Sequence, residues 1–419
     1  MGPVLAASHF QVKPIGLYAR PPICRGFRSA TTDGATGAGP SPSKGEAAIP
    51  SDPTIVTKIE LWPADLPLTD PFVVATGSRV AAELLFLRVT LAGGAQGYGE
   101  IAPFPEVGGE DRASAFQAAT ELARMAVGRS VTQYEPLGGL FYEQAANHPA
   151  ARCGLETALL DALCRHLQIP LWGFWGAADV RTRETDITIP IADLDKTLAL
   201  ARGWAQRGFR TFKTKVGADV EGDIRRLEAI HRALPGSAFI ADANQGFTLE
   251  ACRRFLAELK QIGVKLVLLE QPVPREDWEG MIALAKEAGV PVAADESVRS
   301  LADAKRVAGT QAAQVVNIKI TKTGLLQALE IARFAKGAGL SLMAGGMVEA
   351  RVAMGCSFAL VLGLGGFEFL DLDTPLLLAT DPVTGGFRYE GPILHPWSGP
   401  GLDLTVAPAS LPTTITMTA

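Results

Sequence analysis

Five ionisable residues, Lys215, Asp242, Glu270, Asp295 and Lys319, recur at steps of 24 to 28 residues, and each stands at or near the end of a short apolar run. Three carboxylates gathered in a dry cleft would repel and partly protonate unless a hard divalent cation lay among them. Ligation by oxygen alone points to Mg2+, with Mn2+ as a substitute, because no His or Cys stands at these positions to suit zinc. Lys213 and Lys215 are two residues apart and so share one strand face. Like charge beside like charge lowers the pKa of one amine and frees it as a base. Lys319 comes from the far side of the group. Opposed amines about a metal can take the α proton from a substrate carboxylate and return it on the other face, through an enediolate.

Such convergence needs a scaffold. Residues 210–216, 238–243, 266–271, 290–294 and 314–320 are rich in Val, Ile, Leu and Phe, and amphipathic stretches long enough for a helix separate them. This is a repeated strand-helix unit. Parallel strands joined by right-handed crossovers and closed into a barrel bring their C-terminal ends to one face. From Thr54 to about Ala178 the pattern differs. Residues 55–62 and 84–91 read as strands, 91–95 as a turn, and 96–101 as a third strand. Helical spacing follows over 111–127 and 151–167, the second stretch ending before Pro170. Residues 352–367 carry no charge but are too short to span a membrane, so they read as a buried barrel helix.

The chain has 419 residues, 47% of them hydrophobic and 20% charged, enough for two domains. A net charge of -5 with no basic stripe excludes nucleic-acid binding, and no apolar run suits a membrane span. Cys24, Cys153, Cys164, Cys252 and Cys356 form no C-x-x-C pair and read as reduced thiols, mostly buried. The first 50 residues hold Lys13, Arg20, Arg25, Arg28 and Lys44 against Asp33 and Glu46, the acid-poor composition of an organelle transit peptide. Residues 33–42 read as a flexible linker. A plastid is the expected destination, with a mitochondrion second, and a tail without address would leave the chain in the cytoplasm.

The K-x-K of Phe212-Lys213-Thr214-Lys215, with Asp242-Ala243-Asn244, Leu269-Glu270-Gln271-Pro272, Ala294-Asp295-Glu296-Ser297 and Asn317-Ile318-Lys319-Ile320, resembles the muconate-lactonizing subgroup of the enolase superfamily over residues 55 to 406. The resemblance implies a modified TIM barrel of the (β/α)7β type under an N-terminal α+β capping domain. It implies Lys215 and Lys319 as acid/bases, Lys213 as the residue tuning Lys215, and Asp242, Glu270 and Asp295 as ligands of one Mg2+. Asn244 and Glu296 stand beside those ligands and either bond to them or satisfy backbone groups. Lys322 lies further along and is expected to face solvent. Leu325 departs from the pattern, where many relatives carry a second Gly after Gly324.

Phe367-Glu368-Phe369-Leu370-Asp371-Leu372-Asp373-Thr374-Pro375 resembles the D-x-D strand end of the dipeptide epimerases. In that family the two carboxylates hold the ammonium of the substrate's N-terminal residue, which separates it from cycloisomerases and o-succinylbenzoate synthases. The alternative for Asp371 and Asp373 is capping of a helix before Thr374-Pro375. The first hairpin loop, residues 70–80, is expected to fold over the barrel mouth, with Arg79 meeting a substrate carboxylate. The domains expected are a transit peptide and linker over 1–53, a capping domain over 54–180, a barrel over 181–378, and a segment returning to the capping domain over 379–419. The activity implied is epimerisation of an Ala-Glu type dipeptide at its C-terminal residue, by a homo-oligomer. A cycloisomerase or synthase on the same site, and a non-catalytic barrel that binds without turnover, are the alternatives.

Overall fold

Long alternating strands open the described chain, which in this computed structural model comprises residues 52–105, 109–407 and 415–419. Strand β1, Val56–Val74, and β2, Gly77–Leu91, form an antiparallel hairpin, and β3, Gln96–Ile101, pairs with β2. The β2–β3 turn is the one expected from its glycines, with Gly94 at φ +85° and its N–H bonded to the Leu91 carbonyl at 2.9 Å. Helices α1, Arg112–Ala126, and α3, Pro149–His166, cover this sheet, and α2, Tyr134–Gln144, packs on those two helices. Helix α3 lies so close that a Cβ on Gly97 would stand 2.2 Å from the Ala158 carbonyl oxygen. Only glycine allows that approach. The last strand, β12, Ile415–Thr418, pairs with β1 at the far edge of the same sheet.

The barrel is eight parallel strands in sequence order: β4, Ile187–Ile189; β5, Thr211–Lys215; β6, Ala238–Asp242; β7, Leu266–Glu270; β8, Val292–Ala294; β9, Val315–Ile318; β10, Ser341–Ala344; β11, Phe367–Leu370. Seven helices alternate with them: α4, Leu194–Gln206; α5, Val220–Ala233; α6, Leu249–Ile262; α7, Trp278–Glu287; α8, Leu301–Thr310; α9, Leu325–Gly337; α10, Arg351–Leu364. Each of the first five starts at an Asp, Thr or Ser whose side chain accepts an N–H of the first turn. Among the described residues no α-helix follows the last of these strands, so the unit count is (β/α)7β. The ring joins where Asp186 N–H donates to the Leu370 carbonyl at 3.0 Å. An inner layer of Ile240, Leu268, Ala293, Val315 and Met343 fills the barrel, as parallel-strand barrels require.

Two expectations shift. The loop over 70–80 is itself strand: β1 runs to Val74 and β2 begins at Gly77, so the connection is a tight turn and Phe72 pairs with Arg79. The buried helix over 352–367 stops at Leu364, because Gly365 and Gly366, at φ +60° and +82°, turn the chain into β11. Cys153, Cys164, Cys252 and Cys356 are free and buried. The transit peptide, Cys24 and the linker at 33–42 lie outside the described residues. Among the described residues no helix is long and apolar enough to cross a membrane.

Candidate active site

Strand ends bring the charged side chains to one face. Lys213 and Lys215 lie on β5, Asp242 and Glu270 end β6 and β7, and Asp295, Lys319 and Asp371 each follow the last residue of β8, β9 and β11. Lys215, Lys319, Asp371, Asn244 and Thr188 line a cavity of about 30 Å3, together with the apolar Phe72, Val74, Phe104 and Met347. The β1–β2 hairpin supplies Phe72 and Val74, and Ile191 N–H bonds it to the barrel at the Val73 carbonyl. The capping domain therefore closes the site with apolar side chains.

Every carboxylate of the expected metal set touches an ammonium. Lys213 Nζ lies 2.6 Å from Asp371 Oδ2, 2.8 Å from Glu270 Oε2 and 3.1 Å from Asp242 Oδ2. Lys215 Nζ donates to Asp242 Oδ2 at 2.6 Å, and Lys319 Nζ reaches Asp295 Oδ2 at 2.6 Å. Asn317 Nδ2 donates to Glu270 Oε1 at 2.8 Å. All these groups are buried. Burial raises Asp242 and Asp295, but the lysines around each outweigh it and hold both below the usual carboxylate range. Glu270 goes the other way, pushed up to about 7 by burial and then by Asp242. Burial lowers Lys213, yet Asp371, Glu270, Asp242 and Asp186 together keep it well above an ordinary lysine. A charged Lys213 two residues from Lys215 on the same strand is the arrangement expected of a residue that tunes its neighbour.

The donor set suits a hard cation. Glu270 Oε2 and Asp295 Oδ2 are buried and engage lysines at ion-pair distance without a directed hydrogen bond, which leaves lone pairs for a metal. Around Asp295, the Gln271 side-chain carbonyl accepts the N–H groups of Asp295 and Ser297, each at 3.0 Å. Asn244 N–H donates to Asp242 Oδ1 at 3.0 Å, and its side chain donates to Glu296 Oε1 at 3.3 Å. The ligand oxygens of Asp242, Glu270 and Asp295 do not draw together as one tight group. Among the described residues that geometry belongs to Asp186, Asp371 and Asp373.

Lys322 overturns its expectation. It is buried, and its Nζ donates to Asp295 Oδ1 and the Asp295 carbonyl, each at 2.6 Å, and to the Asn317 carbonyl at 3.1 Å. The chain leaves β9 as a helical turn, Ile320–Thr323, which points Lys322 back into the barrel rather than along an extended strand. Gly324, at φ +89°, then starts α9, so Leu325 in place of a second Gly still admits the turn. Asp373 differs from Asp371: it is fully buried, its Oδ2 accepts Thr188 N–H at 2.6 Å, and it makes no side-chain cap on the 3-10 turn Thr374–Leu377. Arg79 lies 4.3 Å over the Phe104 ring. Sequence reasoning missed Asp186 and Thr188, because β4 is only three residues long and carries too little pattern to announce itself.

Two family models match the chain, the mandelate racemase / muconate lactonizing enzyme N-terminal domain over residues 56–176 and the enolase C-terminal domain-like model over residues 196–410. The aromatic dipeptide epimerase of Herpetosiphon aurantiacus is 42% identical over 82% of this chain and 96% of its own length. The L-Ala-D/L-amino acid epimerase of Populus trichocarpa is 41% identical over 81% of this chain and 82% of its own. A crystal structure of a dipeptide epimerase from Cytophaga hutchinsonii, complexed with Mg and the dipeptide D-Ala-L-Val, superposes with a TM-score of 0.82 at 29% identity, covering 86% of this chain and 99% of that one.

Proposed function

Because the chain belongs to the dipeptide epimerases of the enolase superfamily, we propose that it inverts the α carbon of a dipeptide's C-terminal residue by proton transfer between Lys215 and Lys319. One observation carries this reading: amines from the second and sixth of eight strands, opposite one another in the ring, line the same narrow cavity. An α carbon held between them meets one amine on each face, which is what inversion requires and what one base alone could not supply. Burial lowers Lys319, but Asp295 beside it outweighs that and raises it, which suits Lys319 to return a proton to the carbon that Lys215 has deprotonated. In the reverse direction the roles exchange.

Asp242, Glu270 and Asp295 would hold Mg2+, with Mn2+ as a substitute, and of their oxygens Glu270 Oε2 and Asp295 Oδ2 accept no hydrogen bond. When bound, the ion would supply positive charge beside the substrate carboxylate and offset the negative charge that loss of the α proton leaves there. Lys213 adds a fixed positive charge between Glu270 and Asp371 and holds both in place. Asp371, on the cavity surface, and Asp373 behind it would receive the substrate's ammonium. Cycloisomerase and o-succinylbenzoate synthase substrates lack that cation and would face a buried carboxylate instead.

Phe72, Val74, Phe104 and Met347 favour an apolar side chain on the residue that is inverted, since a carboxylate there would lose its hydration. Arg79, stacked over Phe104, keeps an Ala-Glu substrate as the second reading. A dipeptide library incubated with Mg2+ in heavy water decides between them: the substrate gains one deuteron at its C-terminal α carbon, seen by mass. Lys215→Ala and Lys319→Ala should each stop epimerisation, while one of them still exchanges the α proton of a single epimer. Equal residual epimerisation in both would refute the two-base scheme.

A further inference from the structure

Where β4 meets β11, three carboxylates face one another. One oxygen each of Asp186, Asp371 and Asp373 lies within 4.8 Å of the other two, and the three residues are 3%, 5% and 0% exposed. Both oxygens of Asp186, and Oδ1 of Asp373, have no hydrogen-bond partner. Among the described residues the one salt-bridge partner of the three is Lys213, which already divides its charge among Asp371, Glu270 and Asp242. Buried carboxylates with neither bonds nor charge partners are costly to keep. The place is therefore short of a cation.

We propose that Asp186 completes, with Asp371 and Asp373, a three-carboxylate socket for the ammonium of the substrate's N-terminal residue. The proposal rests on the dipeptide reading above and extends its ammonium site by one residue. Three oxygens no further apart than 4.8 Å leave a point at most about 2.8 Å from each, the length of an N–H to carboxylate bond. A primary ammonium brings three N–H donors, one for each oxygen. Mg2+ prefers oxygens at about 2.0 to 2.1 Å and keeps several waters, which this dry triangle does not suit. Thr188, two residues beyond Asp186, lines the cavity and donates its N–H to Asp373 Oδ2. Burial, followed by Asp371 and Asp373, holds Asp186 well above the usual carboxylate range. An arriving ammonium would let it ionise and release a proton.

The experiment compares kcat/KM for L-Ala-L-Leu and N-acetyl-L-Ala-L-Leu in the Mg2+-loaded full chain, as wild type, Asp186→Asn, Asp186→Ser and Asp371→Asn. Wild type should prefer the free dipeptide, and each variant should lower that preference roughly tenfold or more, mainly through KM. Melting with and without Mg2+ verifies that each variant folds. Should neither Asp186 variant fold, calorimetry of wild type in buffers of different ionisation heat decides: the free dipeptide should release a proton on binding and the acetylated one should not. An unchanged preference in the Asp186 variants beside a lost one in Asp371→Asn overturns the role of Asp186 alone, as does binding without proton release. A preference unchanged in all variants overturns the ammonium site itself, and the inference with it.

Discussion

Lys322→Ala is the sharpest perturbation available, because a lysine expected on the surface is buried against Asp295. Its ammonium makes three hydrogen bonds, to Asp295 Oδ1, the Asp295 carbonyl and the Asn317 carbonyl. Burial, together with Lys319 alongside, lowers its pKa against the opposing pull of Asp295. Removing one partner of such a buried pair costs about 3 to 5 kcal/mol, since the remaining charge stays buried, whereas a solvated lysine lost to alanine costs less than about 0.5 kcal/mol. At an unfolding entropy of roughly 0.8 kcal/mol/K for a chain of this size, the buried case lowers Tm by about 4 to 6 °C. The assay is calorimetric melting in chelator and again in saturating Mg2+, with the larger loss expected in chelator, where Lys319 alone is left to balance Asp295. A Tm within about 1 °C of wild type in both conditions would refute the buried ion pair.

Chelation should abolish epimerisation and Mg2+ should restore it, while Asp242→Asn should lose the Mg2+-dependent rise in Tm; full turnover in excess chelator would overturn the metal site. Glu100 accepts the N–H groups of Ala350 and Ala353 at the start of α10, and burial, then Glu349, push it up to about 8. A carboxyl whose folded pKa exceeds its unfolded value loses stability as pH rises from about 4.5 to 8, so urea midpoints of Glu100→Gln should fall less than those of wild type between pH 6 and 8; parallel falls would count against it. Arg152 on α3 donates to the Thr323 carbonyl at 3.0 Å and Glu156 accepts Leu326 N–H at 3.0 Å, so the capping domain grips the turn that follows Lys319. Arg152→Ala should therefore slow exchange from one epimer several-fold more than from the other, and an equal loss in both would mean only general loosening.

The barrel and the grouping of its charged strand ends were legible in sequence because both are written in period. Apolar runs at regular steps specify parallel strands, and a charge at each run's end specifies the face where it emerges, so Lys213, Lys215, Asp242, Glu270, Asp295 and Lys319 needed no coordinates to be grouped. Residues that act outside that period did not declare themselves. Lys322 turns inward because one helical turn, Ile320–Thr323, replaces extended chain after β9. Asp186 precedes a strand too short to show alternation, and its neighbours are 185 and 187 residues away in sequence. The hairpin loop became strand because β1 and β2 continue to pair almost to their tip, which sets Phe72 and Val74 into the cavity and Arg79 over Phe104. Local sequence carries hydrogen-bonding period and side-chain alternation, while the charge on each buried group depends on which other charges the closed ring brings within a few ångströms. Closure buried Lys213, which by itself would lower it, but set Asp371, Glu270, Asp242 and Asp186 around it, and these raise it.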